Sequence, residues 1–307
     1  MRNIAELLHE QELLKSRINK MIYGSIEIRE NKSKKYIYVH FRDEGISTSR
    51  YVGEYSIELN NLILENNKIV KEYKKQLKQI RKELGALQYS SLELTDQVKT
   101  NIDFARRNMV ESIYKQAMLE GVATTYSDTE TIVNGGKVKD MTANDIAKVV
   151  NLKHAWEFIL IEGVISYPTN YAILCQINEI VEEGFSYTAG RIRNVPVSIG
   201  GSNFIPPLSY EPQIKEDIKD MLSMNKSYDI AIELLLYVMK KQLYLDGNKR
   251  TAVIFANHYL ISRGMGLIVI PSELVNEFKT LLINYYEGKN EKVKEFLYNK
   301  CLTKLHE

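Results

Sequence analysis

The chain has 307 residues, 44% of them hydrophobic and 26% charged, a mixture typical of a globular protein with one large domain or two ordinary ones. Its formal net charge of +2 gives no strong overall attraction to nucleic acid, although local basic patches are compatible with it. No apolar run approaches the roughly 20 residues that span a bilayer, and the charged N-terminus is not typical of a signal peptide. Two distant cysteines, Cys175 and Cys301, favour reduced thiols and a cytoplasmic location, and no Cys/His cluster indicates zinc.

Residues 1–88 predict a small α+β module, and residues 89–307 a second domain. Apolar residues at helical spacing fill the first twenty positions. Alternation and β-formers then predict a three-stranded antiparallel sheet over residues 25–53, with a turn at Asp43-Glu44-Gly45. A long charged helix is predicted from about Ile57 to Leu84, ended by Gly85.

A run of basic residues lies inside the predicted long helix, at positions 68–82. One interpretation is a solvated helix face; the other is a surface that contacts nucleic acid or an acidic partner protein. The nearby strand Lys-Tyr-Ile-Tyr-Val can stack on bases or pack on the long helix. The basic residues of the helix and the sheet are Lys68, Lys71, Lys74, Lys75, Lys78, Arg81 and Lys82, with Lys34, Lys35, Arg42 and Arg50.

The second domain is predicted to be almost entirely helical. Ser90-Ser91-Leu92-Glu93 has the pattern of a capping box, which predicts a helix from there toward Glu120. Further helices are predicted from Thr142 to Leu160, from Pro168 to Gly184, and over 227–244, 248–263, 272–287 and 290–302. One segment, residues 195–204, alternates and is followed by Pro206-Pro207, which predicts a short β-hairpin.

The loop Asp246-Gly247-Asn248-Lys249-Arg250 opens a predicted helix and has the residues of a phosphate-binding site. Gly247 lets the backbone approach a ligand, and the helix N-terminus attracts anions. Arg250 can bind phosphate oxygens bidentately, and Lys249 adds charge. Asn248 can orient a phosphate or the loop itself, and Asp246 can hold a divalent cation. The alternative is an ordinary helix–loop–helix turn.

This loop resembles the pattern H-x-F-x-(D/E)-G-N-(G/K)-R of the Fic (or Fido) family, since residues 242–250 read QLYLDGNKR. Two other segments are similar to that family. Residues 190–193 and 197–207 resemble its flap, a β-hairpin that aligns a target peptide, and Leu119-Glu120-Gly121 resembles the glutamate motif of its inhibitory helix. The resemblance covers about residues 95–302.

The resemblance implies a mainly α fold, with a Fic-like helical domain and a small hairpin flap behind the α+β module. It also implies transfer of AMP from ATP to a hydroxyl of a target protein, with Mg²⁺ held by Asp246. The nucleotide-binding residues would be Gly247, Asn248, Lys249 and Arg250, and the flap residues Val197, Ile199, Gly200 and Gly201. Tyr244, at the phenylalanine position of the motif, is expected to pack in the core.

Gln242 departs from the motif, because it stands where the family has the histidine that acts as general base. A neutral amide does not accept a proton near pH 7, and general-base help is typically worth about 10²–10⁴-fold. Impaired or atypical transfer is therefore expected, with Gln242, Asp246, Asn248 and Arg250 as the catalytic set. The alternative is a catalytically inactive, nucleotide-sensing interaction protein, similar to a toxin–antitoxin component. His258 lies too far along its helix to replace the base and is expected to be packed.

Three further points stay open. Lys249 also occurs in Doc-like toxins, which transfer phosphate, so the transferred group is not fixed. The inhibitory motif has Gln116 for Ser or Thr, and Val253 replaces the second arginine, so Glu120 either reaches Arg250 or is only a helix residue. The target protein and self-association as a homo-oligomer are likewise undetermined.

Overall fold

The computed structural model of the chain describes residues 2–31, 34–43, 46–87, 89 and 93–305. The chain divides into two compact units, residues 1–90 and 91–307. Within the described ranges, none of the helices combines the length and apolar character needed to cross a membrane. The predicted turn residues Glu44 and Gly45 and the predicted cap residues Ser90, Ser91 and Leu92 lie outside the described residues.

The first unit has the predicted α+β composition. Helix α1 (Ile4–Asn19) precedes strands β1 (Ser25–Asn31), β2 (Lys34–Asp43) and β3 (Ile46–Glu54), and helix α2 (Ile57–Ala86) follows. The strands form one antiparallel sheet in the order β1-β2-β3. Ile37 and Val39 of β2 pack with Ile63 of α2 in its core, because alternate strand residues face the helix.

Local capping residues explain where the two helices of this unit begin. Asn3 and Glu6 form a reciprocal capping box at the start of α1. Ser56 caps α2 by accepting a hydrogen bond from the amide of Leu59. The prediction of a long helix is confirmed, but the helix runs through Gly85, its predicted stop, to Ala86.

The second unit is mainly helical, as predicted. Its helices are α3 (Asp96–Arg107), α4 (Met109–Leu119), α5 (Tyr126–Val133), α6 (Ala143–Ile159), α7 (Glu162–Ile165), α8 (Tyr171–Val181), α9 (Glu211–Ser223), α10 (Tyr228–Lys241), α11 (Asn248–Ile261), α12 (Val275–Tyr286) and α13 (Lys292–Phe296). A short ladder joins β4 (Leu267–Ile268) to β5 (Leu302–Thr303). Helix α11 is buried along nearly its whole length and packs against α10, α8 and α6. The core is therefore built around the helix that the predicted phosphate loop opens.

The structure corrects two helix predictions. The helix predicted to run unbroken toward Glu120 is two helices, because Asn108 leaves the helical conformation and its side chain donates to the Phe104 carbonyl. The first of them begins at Asp96, capped by Thr95. The helix predicted over 290–302 is shorter: α13 passes into a π-helical turn, Leu297–Cys301, and then into β5.

Candidate active site

The segment that resembles the family pattern, residues 242–250, is called the motif loop. It joins α10 to α11 through two residues in the left-handed conformation. Gln242 ends α10 with φ 47° and ψ 62°, and Gly247 precedes α11 with φ 73°. Gln242 is, within the described ranges, the one residue other than glycine with a positive φ. A Cβ at Gly247 would lie 2.5 Å from an oxygen of Glu182, so this position requires glycine both for its φ and for space.

Asn248 holds the loop in shape. Its Oδ1 accepts from the Tyr244 amide at 3.0 Å, and its Nδ2 donates to the Tyr244 carbonyl at 2.8 Å and to Gln242 Oε1 at 3.2 Å. The side chain is 5% exposed. Of its two predicted roles, the structure places it in the second, orienting the loop.

The side chain of Gln242 is also bonded inside the loop. Its Nε2 donates to the Met239 carbonyl at 2.6 Å, while its Oε1 receives the bond from Asn248. These bonds cap the end of α10 and secure the turn. The amide that the resemblance aligns with the family's histidine is thus hydrogen-bonded within its own chain.

The first turn of α11 presents free donors. Among the described residues, none accepts a hydrogen bond from the backbone amides of Asn248, Lys249 or Arg250. Such unpaired amides and the positive end of the helix dipole attract anions. The Asp246 carboxylate lies beside them with 73% of its side chain exposed, and its Oδ1 accepts from the Gly247 amide at 2.7 Å.

Arg250 is buried and ion-paired, so it is not open to a phosphate ligand. Its side chain is 3% exposed, and NH2 lies 2.7 Å from Oε1 of Glu182, which is also 3% exposed. A second oxygen, Asp246 Oδ1, lies 3.7 Å from the same nitrogen. Its Nε is buried and has no hydrogen-bond partner among the described residues. The predicted phosphate-binding arginine is therefore closed off by an internal carboxylate.

Glu182 follows α8 and was not anticipated by the motif. Burial raises its pKa to about 7, and the neighbouring carboxylates of Asp246 and Glu120 act in the same direction, against the opposing effect of Arg250. The signal in the sequence was weak: a pair of glutamates, Glu182 and Glu183, directly after an apolar helix. Nothing local shows that the first glutamate turns inward.

Glu120 contacts Lys249, a partner that neither of the two alternatives for this residue included. Both carboxylate oxygens lie 3.4 Å from Lys249 Nζ, and the glutamate side chain is 13% exposed. Gln116, one turn earlier, donates to the Arg250 carbonyl at 2.7 Å and accepts from Trp156 Nε1 at 3.0 Å. The residue that departs from the inhibitory motif therefore ties α4 to the start of α11.

The flap segment (residues 195–207) is not the predicted β-hairpin, because it has no strand ladder. Its tip turns at Gly200 and Gly201, where the Ser202 amide donates to the Ile199 carbonyl at 3.1 Å. Val197 and Ile199 are half-buried. Proline at positions 196, 206 and 207 removes the amide donors that a ladder needs, so the alternating pattern alone was misleading.

Arg193 makes the hydrogen bonds that hold the flap segment in place of a strand ladder. Its guanidinium donates to the carbonyls of Val195, Pro206 and Pro207, and also to those of Lys241 and Gln242 at the end of α10. Its backbone amide donates to the Leu243 carbonyl at 2.9 Å. The side chain is 4% exposed. One buried arginine therefore links both ends of the flap segment to the motif loop. No local sequence pattern predicted this role.

The tip of the flap segment is held by the end of α12. Glu287 Oε1 accepts from Ser202 Oγ at 3.2 Å and from the Asn203 amide at 3.0 Å, and the ring of Phe204 stacks on Tyr286 with centroids 6.3 Å apart. The flap segment is thus fixed at its base and at its tip.

Two packing expectations are confirmed. Tyr244 is 1% exposed, and its hydroxyl points at Cys175 Sγ, 3.6 Å away. His258 is fully buried between Thr169 Oγ1 and the Val164 carbonyl, and burial lowers its pKa to about 4. His258 is therefore a neutral structural residue.

The donors near the loop fit Mg²⁺ only together with a phosphate ligand. Within the described residues, no three His, Cys, Asp or Glu side chains form a metal cluster. Asp246 offers one exposed carboxylate, and Mg²⁺ commonly binds through one or two carboxylates with substrate phosphates completing the shell.

Comparison with known proteins finds similarity to one family. Residues 168–260 match the sequence model of the Fic/DOC family, whereas no curated protein matches the chain. Fic-1 from C. elegans superposes with a TM-score of 0.53 at 17% identity, covering 78% of this chain and 79% of that one. A Fic-domain-containing signaling protein from Bacteroides thetaiotaomicron gives 0.52 at 18% identity, with 67% and 79% covered. A Fic family protein from Desulfovibrio desulfuricans gives 0.52 at 14% identity, with 68% and 73% covered.

At such identities the superpositions establish the fold alone. The matched segment contains α8, the flap segment, α9, α10 and the motif loop with nearly all of α11. Residues 168–260 therefore match the Fic/DOC family, and the chain has a Fic-like fold.

Proposed function

We propose that the chain binds ATP with Mg²⁺ at the motif loop and transfers AMP, or another phosphate-containing group, to a hydroxyl of a target protein. Membership of the Fic/DOC family supports a Fic-type transferase activity in general. We further propose that the reaction is slow or atypical, because Gln242 stands in the place of a general base.

The observation that carries this proposal is the anion site at the start of α11. Three backbone amides without acceptors among the described residues converge there, on Asn248, Lys249 and Arg250. Lys249 adds an ammonium group with about a third of its side chain exposed. Charge neutralisation and alignment are the main requirements of phosphoryl-type transfer, and this arrangement is suited to supply both.

Asp246 is the residue we assign to the metal. Its exposed carboxylate is a hard oxygen donor on the same turn as the free amides, which suits Mg²⁺ shared with phosphates. A bound Mg²⁺ would supply neutralisation of phosphate charge. Asn248 and Gln242 hold the loop in its left-handed turns through their side-chain hydrogen bonds.

In the proposed AMP transfer, the target hydroxyl oxygen bonds to the α-phosphorus of ATP. The bond from that phosphorus to the bridging oxygen breaks, and pyrophosphate leaves with the electron pair. The hydroxyl proton must go to a base. Gln242 cannot take it, and both polar atoms of its side chain are already bonded, so water or a group of the target receives the proton.

Two observations favour a second candidate, an inactive nucleotide-sensing protein. Gln242 serves the loop instead of facing a substrate, and Arg250 is neutralised by Glu182. A site of this kind would bind a nucleotide and change its contacts without transferring any group.

Labelled ATP separates these functions. The full chain is incubated with a lysate and Mg²⁺, using ATP labelled at the α- or the γ-phosphate. AMP transfer labels proteins from the α-label alone, phosphate transfer labels them from the γ-label alone, and the sensing function labels none. Any α-labelling should be slow in the natural chain.

Gln242→His tests the proposed defect directly. Histidine tolerates the left-handed conformation better than most residues, so the turn should survive. We expect labelling to rise about 10²-fold or more, the lower range of general-base catalysis. Gln242→Asn is the matched control, since it suits the same φ but supplies no base; an equal rise in both variants would contradict the proposal.

We also place the chain in a reducing cytoplasm. Cys175 and Cys301 are free thiols, and burial raises the pKa of both, that of Cys301 to about 12. They therefore stay protonated and unreactive at neutral pH. Recovery of the tagged chain from a cytoplasmic fraction tests the location, and recovery from an extracellular or periplasmic fraction would contradict it.

A further inference from the structure

A groove in the first unit has no role in the site described above. It encloses about 610 Å³ between the start of β1, the end of β2 and the middle of α2. The lining combines aromatic rings with two ammonium groups. The lining residues that matter are Tyr23, His40, Phe41, Asn67, Lys71 and Lys74, of which His40 contributes its carbonyl.

The floor of this groove is fixed by a side chain of α2. Asn67 accepts from the Gly24 amide at 2.8 Å and donates to the Gly24 carbonyl at 3.0 Å. Gly24 has φ 136°, and a Cβ there would lie 2.5 Å from the His40 carbonyl oxygen. Only glycine allows this close approach of β1 to β2, so the groove is a built feature of the fold.

One wall of the groove is aromatic. The rings of Tyr23 and Phe41 have centroids 5.3 Å apart, and both side chains are partly exposed. Lys74 Nζ lies 5.0 Å from the centroid of the Tyr23 ring, within the range of a cation–π contact. A π-surface and a cation therefore face the same space.

The two ammonium groups that line the groove form no ion pair with a residue that the structure describes. No described carboxylate lies within ion-pair distance of Lys71 or Lys74. The other basic residues between 68 and 82 also form no ion pair with a described residue. Residues 1–90 contain 17 Lys and Arg against 12 Asp and Glu, a net charge of +5, although the whole chain carries only +2. The positive charge is concentrated in the unit that holds the groove.

Aromatic and basic residues also occupy the outer face of the sheet. Tyr38 and Tyr51 face each other across β2 and β3 with ring centroids 5.4 Å apart, and the Arg29 guanidinium lies 4.4 Å above the Tyr38 ring. Tyr51 is 54% exposed. That guanidinium is also paired with Glu27 at 2.9 Å, so the sheet adds exposed rings to the unit and no unpaired cation.

We propose that this groove binds single-stranded nucleic acid, with a base against Tyr23 and Phe41 and phosphates against Lys71 and Lys74. Combined aromatic and cationic surfaces are how proteins bind single strands without sequence preference. An acidic peptide would use the cations alone and leave the rings unexplained. A duplex keeps its bases stacked, so they would not reach the wall of the groove. The proposal does not depend on the function of the motif loop.

The test uses the full chain and a fluorescent oligonucleotide of about 12 nucleotides, within the usual size of such sites. Anisotropy is followed over a range of salt concentrations. The double variant Lys71→Gln/Lys74→Gln should bind at least tenfold more weakly. The slope of log affinity against log salt should fall by about 1.4, since each phosphate contact on a single strand contributes about 0.7.

Lys75→Gln/Lys82→Gln is the matched control. It removes the same charge from the same helix, at exposed positions that do not line the groove. Its affinity should change less than about threefold, because positive charge is removed but no phosphate contact in the groove is lost. Tyr23→Leu should weaken binding about tenfold with an unchanged salt slope, because stacking is lost while phosphate contacts remain.

Four results would overturn the proposal. They are equal losses in the two double variants, tighter binding to a duplex of the same length, displacement of the strand by a polyglutamate peptide at equal charge concentration, and no binding at low salt.

Discussion

The guanidinium of Arg250 and the carboxylate of Glu182 form an ion pair of 2.7 Å in which both side chains are 97% buried. Two charges withdrawn from water each cost several kcal/mol, and their attraction offsets this cost only while both are present. Above about pH 7, where Glu182 is ionised, the motif arginine is therefore neutralised inside the domain. An incoming phosphate would have to share Arg250 with Glu182 or displace it.

The first prediction concerns the charge of Glu182. At pH 8, where Glu182 is ionised, Glu182→Gln keeps the shape of the side chain and a hydrogen-bond acceptor for Arg250 but removes a negative charge close to the anion site. We expect ATP with Mg²⁺ to bind about tenfold more tightly, the effect of about 1.4 kcal/mol of repulsion between partly screened charges. Isothermal titration calorimetry measures it. Glu183→Gln, its exposed neighbour, should leave affinity unchanged; weaker binding in Glu182→Gln would mean that the carboxylate positions Arg250 for the ligand.

The second prediction concerns pH. The pKa of Glu182 is raised to about 7, so the folded state holds its proton over a range in which the unfolded state, with a pKa near 4.5, has lost it. Its stabilising contribution is complete below pH 4.5 and is lost as pH rises to about 7. The difference in unfolding free energy between the natural chain and Glu182→Gln should fall across that window.

His258 titrates with the opposite sign and must be separated from Glu182. Its pKa is lowered to about 4, so its contribution is present above pH 6.5 and is lost as pH falls. It is unchanged by Glu182→Gln and cancels in the difference. Denaturant unfolding at half-unit pH steps gives the comparison, and a difference that stays flat from pH 4.5 to 7 would refute the assignment.

The third prediction concerns the contact between Glu120 and Lys249. Glu120 partly neutralises the ammonium group that faces the anion site. Glu120→Gln should therefore raise nucleotide affinity about two- to fivefold, the value of a partly exposed ion pair. In a Lys249→Met background the same substitution should have no effect. An equal gain in both backgrounds would show that Glu120 acts on the nucleotide by another route.

The fourth prediction concerns Arg193. Removing its guanidinium leaves buried carbonyls of the flap segment and the motif loop without a donor. Arg193→Ala should lower the unfolding free energy by at least about 3 kcal/mol, and Arg193→Lys should not restore it, because one ammonium group cannot reach carbonyls on both sides. Arg191→Ala, which is exposed, should be neutral. An unchanged unfolding free energy in Arg193→Ala would show that Arg193 does not hold the flap segment and the motif loop together.

The sequence anticipated features that depend on near neighbours. Thr142 caps α6 as predicted, the long helix α2 is present, and Tyr244 is buried, since capping, helical periodicity and the size of an apolar residue act locally. The fold class followed from such signals together with the family resemblance.

The features that the sequence did not reveal join distant positions. Glu182 and Arg250 are 68 residues apart, and Arg193 and Gln242 are 49 apart, so no pattern in either segment reports the contact. The hairpin prediction was wrong for a different reason, which is local to the segment. Alternation describes which way side chains point, whereas a ladder also needs amide donors, and prolines at 196, 206 and 207 remove them.

The most direct test of the account is calorimetric titration of the full chain with ATP and Mg²⁺. Lys249→Ala is the better variant, because Arg250→Ala would leave Glu182 buried and unpaired. We predict a Kd below about 1 mM, at least tenfold weaker binding in Lys249→Ala, and no change in Lys219→Ala, an exposed lysine of α9. No binding at millimolar ATP, or equal binding in both variants, would contradict the claim that the motif loop holds a nucleotide.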